Sequence, residues 1–384
     1  MVTLNSADNV LKSYYLDAIS ETLNMKVSPV LAKIERTSEN VVGKEVRKAL
    51  RVGVHGGIGA GTEDGDLPTS RGMKYAQIVV PLKNLYGTIE ISDKAIRASA
   101  NNDGAFVNIL NEEMDALVKT ARFHFNRMLF GSGDGYLGDV AGLSNGKIYV
   151  SDIRNFAVGM HVSLLGAGVS GCDDLYVESV DYKDSTIVVD AEFNREADVL
   201  GAKFCLYGAE EQELSGFRSF FSEYGAYGMS WEELGAKPYM DDDFGEFSED
   251  KLQEAMDYIE ANSGHNVDMI VCSWGVRRII KKYYMDRNLP VKTVQLDGGY
   301  SAMEIMGVPV VVDRFCPDGT MYLLSTDALK LCQLCDWQWL EAEDGKILKQ
   351  VPGKPVYAAT LVKYAELICE NPAAQGMLSG IVGE

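Results

Sequence analysis

Basic residues are scarce in this sequence relative to acidic ones. The 384 residues include 36 lysines and arginines against 56 aspartates and glutamates, which gives a formal net charge of −20 at pH 7. A domain dedicated to nucleic acid normally presents a basic field, so this balance argues against such a role. The same balance favours solubility and disfavours adhesion to anionic surfaces.

Long apolar runs are missing as well. No stretch approaches the roughly 18 consecutive apolar residues of a membrane span. The N-terminal stretch MVTLNSADNVLKSYYLDAIS is interrupted by Asp8, Lys12 and Asp17, so it lacks the apolar core of a signal peptide. The sequence therefore predicts a soluble protein without an export signal.

Histidine is rare, and no residue falls into a recognised catalytic or metal-binding spacing. HExxH and GxSxG motifs are absent, and the histidines are scattered at His55, His124, His161 and His265. The seven cysteines are odd in number and irregularly spaced, which is typical of reduced thiols. Cys332 and Cys335 form a lone CxxC pair inside an apolar run, whereas zinc requires four ligands. We therefore expect buried thiols, no metal, no cofactor and no enzymatic activity.

Glycine, in contrast, is concentrated in one short stretch, GGIGAGT at residues 56–62. The dinucleotide fingerprint needs its third glycine where Thr62 stands, and a Walker loop needs a lysine directly after Gly61. Both motifs also need a helix after the loop, whereas β-prone residues follow here. The adjacent acidic side chains would repel phosphate. The nucleotide interpretation is thus disfavoured, and the candidate residues of this loop tip are Gly56, Gly57, Gly59, Gly61, Glu63, Asp64 and Asp66.

The residues around this tip predict a long β-hairpin. Residues 41–54 and 74–91 are rich in β-branched and aromatic types, and they flank a glycine-rich, acidic segment at 55–73. Long loops of this kind are usually functional or mobile. Before the hairpin, residues 6–36 keep helical spacing until Pro29 interrupts it, which predicts an N-terminal helical arm.

One long amphipathic helix follows the hairpin. Asp103 is a candidate cap and Gly131 a candidate end. Apolar residues recur between them every three or four positions, as Phe106, Leu110, Met114, Leu117, Ala121, Phe125 and Met128. Short strands at steady spacing over 147–207 then predict a small antiparallel barrel or sandwich inserted into a larger domain. From residue 248 onward, alternating helices and strands predict an α+β or α/β unit.

Two charged groups have both a solvent-exposed and a binding interpretation. Asp241 to Asp243 lack the spacing of a calcium loop and predict a solvated acidic loop. A helix predicted over 274–287 has a basic face, which predicts a solvated surface or, alternatively, a contact with an acidic neighbour. That face contains Arg277, Arg278, Lys281, Lys282 and Arg287.

The arm, the hairpin, the long helix and a terminal strand at 356–370 do not close on one another. An isolated two-stranded ribbon is only marginally stable. Such parts are explained if neighbouring subunits cover them, so the sequence predicts an assembly protein.

The order of these parts resembles the major capsid proteins of tailed bacteriophages, which have the Hong Kong ninety-seven fold. The stretches that carry the resemblance, in chain order, are VVGKEVRKALRVGVHGGIGAGTEDGDLP, KYAQIVVPLKNLYGTIEISDKAIRAS, DGAFVNILNEEMDALVKTARFHFNRMLFGSGDG, ELSGFRSFF, GVPVVVDRFCPDGTMYLL and VYAATLVKYAELICENPAAQGMLSGI. The resemblance covers most of the chain, and its specificity comes from the number and order of these patterns.

The resemblance implies an α+β capsid fold with six parts. They are an N-terminal arm at 1–40, an extended hairpin loop at 41–91, a peripheral domain with a spine helix at 92–146, an inserted β domain at 147–208, an axial domain at 209–340 and a return to the peripheral domain at 341–384. In this interpretation the tip glycines let the loop adapt to different neighbours, because glycine accepts backbone angles that other residues resist.

The implied function is structural. The chain would assemble in the host cytoplasm into the pentamers and hexamers of an icosahedral shell. In the virion this shell would enclose double-stranded DNA. A separate scaffolding protein is expected because the hairpin begins near residue 41. A portal and a decoration protein are further candidate partners. Some relatives crosslink covalently, and Lys74 is a candidate lysine without identified partners. An encapsulin-type compartment shell and an uncharacterised enzyme using residues 209–340 are the alternatives.

Overall fold

The computed structural model describes residues 29–95, 103–166, 172, 174–191, 193, 199–296, 300–341, 345 and 347–383, and only the backbone of 103–112, 296 and 300. The α-helices in these ranges are α1 Pro29–Lys33, α2 Asp103–Leu129, α3 Trp231–Leu234, α4 Glu249–Ser263 and α5 Trp274–Asp286. None of them combines the length and apolar character that crossing a bilayer demands. Most of the predicted arm lies outside the described residues.

Strands outnumber helices in the described chain. The first group comprises β1 Glu35–Thr37, β2 Val41–Val42, β3 Glu45–Val52, β4 Lys74–Pro81, β5 Lys83–Ser92, β6 Tyr136–Ser144, β7 Lys147–Val150, β8 His161–Leu165, β9 Leu175–Asp181, β10 Thr186–Val189 and β11 Lys203–Leu206. The second group comprises β12 Gly225–Ala226, β13 Met229–Ser230, β14 Tyr239–Asp241, β15 Gly245–Glu246, β16 Met269–Cys272, β17 Lys292–Leu296, β18 Tyr300–Ile305, β19 Val308–Val312, β20 Met321–Leu324, β21 Leu329–Trp339, β22 Lys349–Gln350, β23 Val356–Cys369, β24 Gly376–Leu378 and β25 Ile381–Val382.

The chain divides into two compact units. The first comprises residues 83–218 and 335–364, and the second comprises 29–82, 219–334 and 365–384. In the first unit, β5 pairs with β23, and the helix α2 packs on this sheet. The 27 residues of α2 agree with the helix that the periodicity predicts.

The same unit contains a closed barrel with the strand order β10, β7, β6, β11, β8, β9. Its interior is filled by alternate residues of the strands, among them Leu137, Ile148, Val162, Ile187 and Phe204. Five of the strands were expected from the sequence. The sixth, β6, lies before the predicted start at residue 147 and pairs with both β7 and β11.

The second unit is built on a seven-stranded mixed sheet with the order β14, β24, β20, β16, β19, β18, β17. Helices α4 and α5 bury Leu252, Ile259, Val276 and Ile280 in one core cluster on this sheet. The side chain of Ser273 caps α5 by accepting a hydrogen bond from the Val276 amide at 3.3 Å. The small-residue C-terminal tail is integral to this unit, because β24 pairs with both β14 and β20.

Candidate assembly surfaces

The predicted hairpin is present as an antiparallel ribbon of β3 and β4. Its register places Val46 opposite Val80 and Leu50 opposite Ala76. Burial alternates along both strands, so one face of the ribbon is apolar and covered while the other is exposed. The exposed face carries Tyr75 and Val79.

The apolar face of the ribbon is covered within the same unit, and this corrects the expectation that only neighbouring subunits would cover it. Leu50, Ile78 and Val80 pack in one cluster with Ala226 and Leu234, which belong to β12 and α3. Residue 235 is glycine for two reasons, since it has a left-handed φ of 66° and any side chain there would collide with Val52. The base of the ribbon is thus fixed by its own subunit.

The tip of the ribbon, residues 53–73, lies beyond this cover. Val54, Ile58 and Leu67 are each 88% exposed. The tip is closed at its base by a hydrogen bond from the Gly56 amide to the Arg71 carbonyl at 3.2 Å, and a turn is closed by the Gly65 amide on Thr62 at 3.2 Å. Exposed apolar side chains on a projecting loop are typical of a surface that a partner covers.

The tip glycines do not use left-handed angles in this conformation. Positive φ occurs nearby at Gly53, with 78°, but not at Gly56, Gly57, Gly59 or Gly61. Their proposed role in bending is therefore a statement about other conformations of the loop. The acidic residues Glu63, Asp64 and Asp66 are exposed beside them, and the segment that follows is the strand β4. This context disagrees with both phosphate-binding templates.

From Met114 onward, the predicted spine helix α2 is held by the sheet of its own unit. Met114, Val118 and Ala121 are buried against a cluster that includes Ile89 and Leu361. Two further predicted positions, Leu117 and Phe125, fit the same face. Leu117 is partly buried beside Gly87, and Phe125 makes an edge contact with Trp337 at 6.4 Å between ring centres. The side chains of Phe106 and Leu110 lie outside the described part of the chain.

The carboxyl-terminal end of α2 is held by the segment ELSGF, residues 213–217. Glu213 forms a buried ion pair with Arg127, which lies in the last turn of the helix. Gly216 lies so close to the Met128 carbonyl that no side chain would fit there. Phe217 then contacts Phe130 edge to face at 5.4 Å. Sequence reasoning missed this arrangement, because Arg127 and Glu213 are 86 residues apart.

His124 lies on α2, about one turn before Arg127. Its Nδ1 atom is buried and has no hydrogen-bond partner among the described residues. Burial, and secondly the positive charge of Arg127, lower the pKa of His124 to about 3. The imidazole is therefore neutral in the folded chain at any ordinary pH.

We expect this histidine to make the subunit less stable in acid. Below pH of about 6.5 the unfolded chain binds a proton at His124 that the folded chain refuses until about pH 3, so stability falls as the pH drops through this window. One such proton changes the free energy of unfolding by up to about 1.4 kcal/mol per pH unit. Urea unfolding between pH 7 and 4 should show a weaker pH dependence in His124→Gln than in the wild type. His55→Gln, at the exposed tip, serves as the control, and equal slopes for His124→Gln and wild type would contradict the assignment.

The cysteines are free thiols, and five of them are buried as predicted, whereas Cys172 and Cys335 are only partly buried. Desolvation raises the pKa of Cys205, Cys272 and Cys369 to about 12, and that of Cys332 to about 11. An activated nucleophile needs the opposite shift. Cys332 and Cys335 lie three positions apart in β21, so they point to opposite faces of that strand. In the described part of the chain no group of three or more His, Cys, Asp or Glu side chains is placed to hold a metal ion.

The acidic loop at 241–243 and the basic face predicted on 274–287 both lie in the second unit. Asp241 ends β14, and the Asp242 carboxylate accepts a hydrogen bond from the Ser379 hydroxyl at 2.9 Å, so the acidic loop is tied to the C-terminal segment. The predicted basic face is present on α5, where its arginines and lysines are exposed. Arg287, just beyond the helix, stacks over the Tyr283 ring at 3.7 Å.

Comparison with known proteins gives a likeness of fold. No family model and no curated protein matches the chain. A chain of the cyanophage A-1(L) capsid asymmetric unit aligns with a TM-score of 0.55 at 11% identity, over 92% of this chain and 93% of that chain. This protein has that capsid fold. The alignment extends over almost the whole of both chains, and it agrees with the fold that the sequence resemblance implies.

Two further capsid-like shells align less well. The capsid of a native GTA particle gives a TM-score of 0.47 at 13% identity, over 92% of this chain and 90% of that chain. The encapsulin SrpI from Synechococcus elongatus gives 0.44 at 11% identity, over 93% and 89%. Neither value is high enough to add to the argument or to favour the encapsulin alternative.

Proposed function

We propose that this protein is the major capsid protein of a tailed bacteriophage and forms the pentamers and hexamers of an icosahedral shell around double-stranded DNA. The observation that carries the proposal is the end-to-end likeness of the capsid fold to the cyanophage chain, at a TM-score of 0.55. The exposed ribbon tip supports it, because Ile58 and Leu67 present apolar surface that a neighbouring subunit would cover.

The parts of the chain take the following roles in this proposal. Residues 1–40 form the arm, 41–91 the extended loop, 92–146 and 341–384 the peripheral domain, and 209–340 the axial domain. The barrel within 136–206 is an addition to the basic fold, and its outer surface is where a decoration protein would bind. A separate scaffolding protein and a portal complete the assembly in the host cytoplasm, and the packaged DNA is held without sequence preference.

Particle formation tests this proposal directly. The chain is produced with and without a candidate scaffolding protein and then examined by sedimentation and electron microscopy. We expect closed shells of head size with pentameric and hexameric units. Small compartments that enclose no DNA and load a protein cargo would favour the encapsulin alternative. Stable monomers under every assembly condition, scaffold included, would refute both shell functions.

A further inference from the structure

Helices α4 and α5 form a single layer on the seven-stranded sheet. Both contribute buried residues to the same core cluster. They also contact each other directly, since the Tyr284 hydroxyl on α5 donates a hydrogen bond to the Glu249 carboxylate at the start of α4, at 2.9 Å. The apolar faces of both helices are thereby buried in the core, and their outer faces are exposed.

These outer faces have opposite charges. The basic face of α5 consists of the exposed residues Arg277, Arg278, Lys281 and Lys282. The acidic face of α4 consists of the exposed residues Asp250, Glu254, Asp257 and Glu260. The lysine of α4, Lys251, donates a hydrogen bond to the Phe244 carbonyl at 2.8 Å.

Each charged face also carries a large aromatic residue. Trp274 begins α5 and is 49% exposed, and Tyr258 lies on α4 and is 51% exposed. Tryptophan, tyrosine and arginine are enriched in the energetically important parts of protein interfaces. A guanidinium of one face can also stack on the aromatic ring of the other. Each face therefore combines a charge of one sign with an exposed aromatic ring of the type that anchors protein contacts.

We propose that the basic face of α5 docks against the acidic face of α4 in a second copy of this chain. A contact of either face with itself would bring like charges together, so each face meets its opposite in the next copy. A two-fold dimer satisfies this as a head-to-tail ring does, and we commit to the ring because a closed shell is built from rings. Head-to-tail contacts generate closed rings when the rotation closes. The proposal rests on the function proposed above, because such rings are the pentamers and hexamers of a shell.

Charge reversal tests this contact. In the variant Arg277→Glu with Lys281→Glu, we expect the yield of shells and of capsomers to fall by about tenfold or more, because like charges across an interface are strongly unfavourable. Helical content should be unchanged because both positions are exposed. Adding Glu254→Lys and Asp257→Lys reverses the charge at two positions of the acidic face as well, so opposite charges can again meet at the substituted positions, and assembly should return to within about twofold of wild type. Lys147→Glu with Lys183→Glu, exposed on the barrel, is the matched control and should assemble normally.

A second measurement does not depend on shells. The variant Lys281→Cys with Asp257→Cys is treated with a short bis-maleimide cross-linker at high protein concentration. We expect a ladder of covalent oligomers. Neither Lys281→Cys alone nor Asp257→Cys alone should give this ladder. If wild type forms no shells and the ladder appears, the capsid function fails and the contact stands. If the charge-reversed variant forms shells at wild-type yield, or the ladder is absent, the contact is refuted. Loss of binding to a DNA duplex without loss of assembly would assign the basic face to nucleic acid instead.

Discussion

Replacing Gly59 and Gly61 together by valine is expected to leave the subunit folded and to lower the yield of closed shells by at least about tenfold, which corresponds to about 1.4 kcal/mol. Both glycines lie in the exposed tip of the ribbon. They are outside the cluster in which β12 and α3 pack on its base. A side chain at Gly61 meets only the Asp66 carbonyl, at 3.8 Å, so the conformation described here tolerates it. At Gly59 a β-carbon would lie 3.1 Å from Pro68, and that exposed ring must shift slightly.

The expected loss comes from conformations other than this one. Valine is restricted at χ1 and disfavours positive φ, whereas glycine accepts either sign. A loop that serves both pentamers and hexamers has to adopt several backbone conformations, and valine removes part of that range. Circular dichroism and particle counts by electron microscopy measure the two effects separately. Ala60→Val, between the two glycines, is the control for added bulk, and wild-type shell yields from the double variant would show that loop adaptation does not need these glycines.

Periodicity predicts the long elements of this chain because their packing is one-sided. The apolar residues of α2 and α5 recur at helical spacing since each helix buries a single stripe, and the predicted bounds agree with the structure within two residues at each end. The ribbon is predicted for the corresponding reason at period two. The packing of β12 and α3 on the apolar face of the ribbon is not predicted, because these short segments carry no periodic signal.

Elements with irregular packing escape the same reasoning. Strand β6 was missed because a bulge between Val140 and Gly142 interrupts its alternation. The C-terminal strand β24 looks like a small-residue tail because a β-carbon at Gly376 would lie only 2.8 Å from Ile259 of α4. At Gly376 the glycine reflects close packing against neighbouring side chains, which one sequence cannot distinguish from loop flexibility.

The candidate site is predictable only in its local parts. The tip residues and the basic face are contiguous in sequence or share a helix, so their grouping follows from spacing alone. The acidic residues of α4 also share a helix, but the position of that helix beside α5 depends on how separate elements pack, and so does the ion pair of Glu213 with Arg127. Such contacts between distant residues are set by tertiary structure, which the spacing of residues in a single sequence does not reveal.

The largest effect on the subunit itself is expected from Glu213→Gln. The substitution leaves the Arg127 guanidinium buried without its counter-charge, since the two side chains are only 3% and 5% exposed. Removing one partner of a buried ion pair typically costs about 3–5 kcal/mol. We expect a loss of this size in the free energy of unfolding of the first unit, and correspondingly little assembled shell.

The loss should be local before it is global. Glu213 lies in the segment whose Gly216 and Phe217 close over the end of α2, so release of that segment frees the last turns of the helix. Hydrogen exchange of residues 113–129 should therefore accelerate more than exchange in the barrel strands β8 to β10. Urea unfolding followed by circular dichroism gives the total change, and a shift below about 0.5 kcal/mol would place the variant among ordinary surface substitutions.

A paired variant separates the effect of the buried charge from that of the lost contact. Arg127→Met together with Glu213→Leu removes both charges and keeps apolar volume at both positions, and replacement of a whole buried ion pair in this way is often neutral or stabilising. We expect it to recover most of the stability that Glu213→Gln loses, together with slow exchange at the end of α2. If the paired variant is as unstable as Glu213→Gln, the stability of this end of α2 depends on the geometry of the ion pair and not on charge balance. Glu178→Gln, exposed on β9 of the barrel, controls for loss of a carboxylate elsewhere in the same unit.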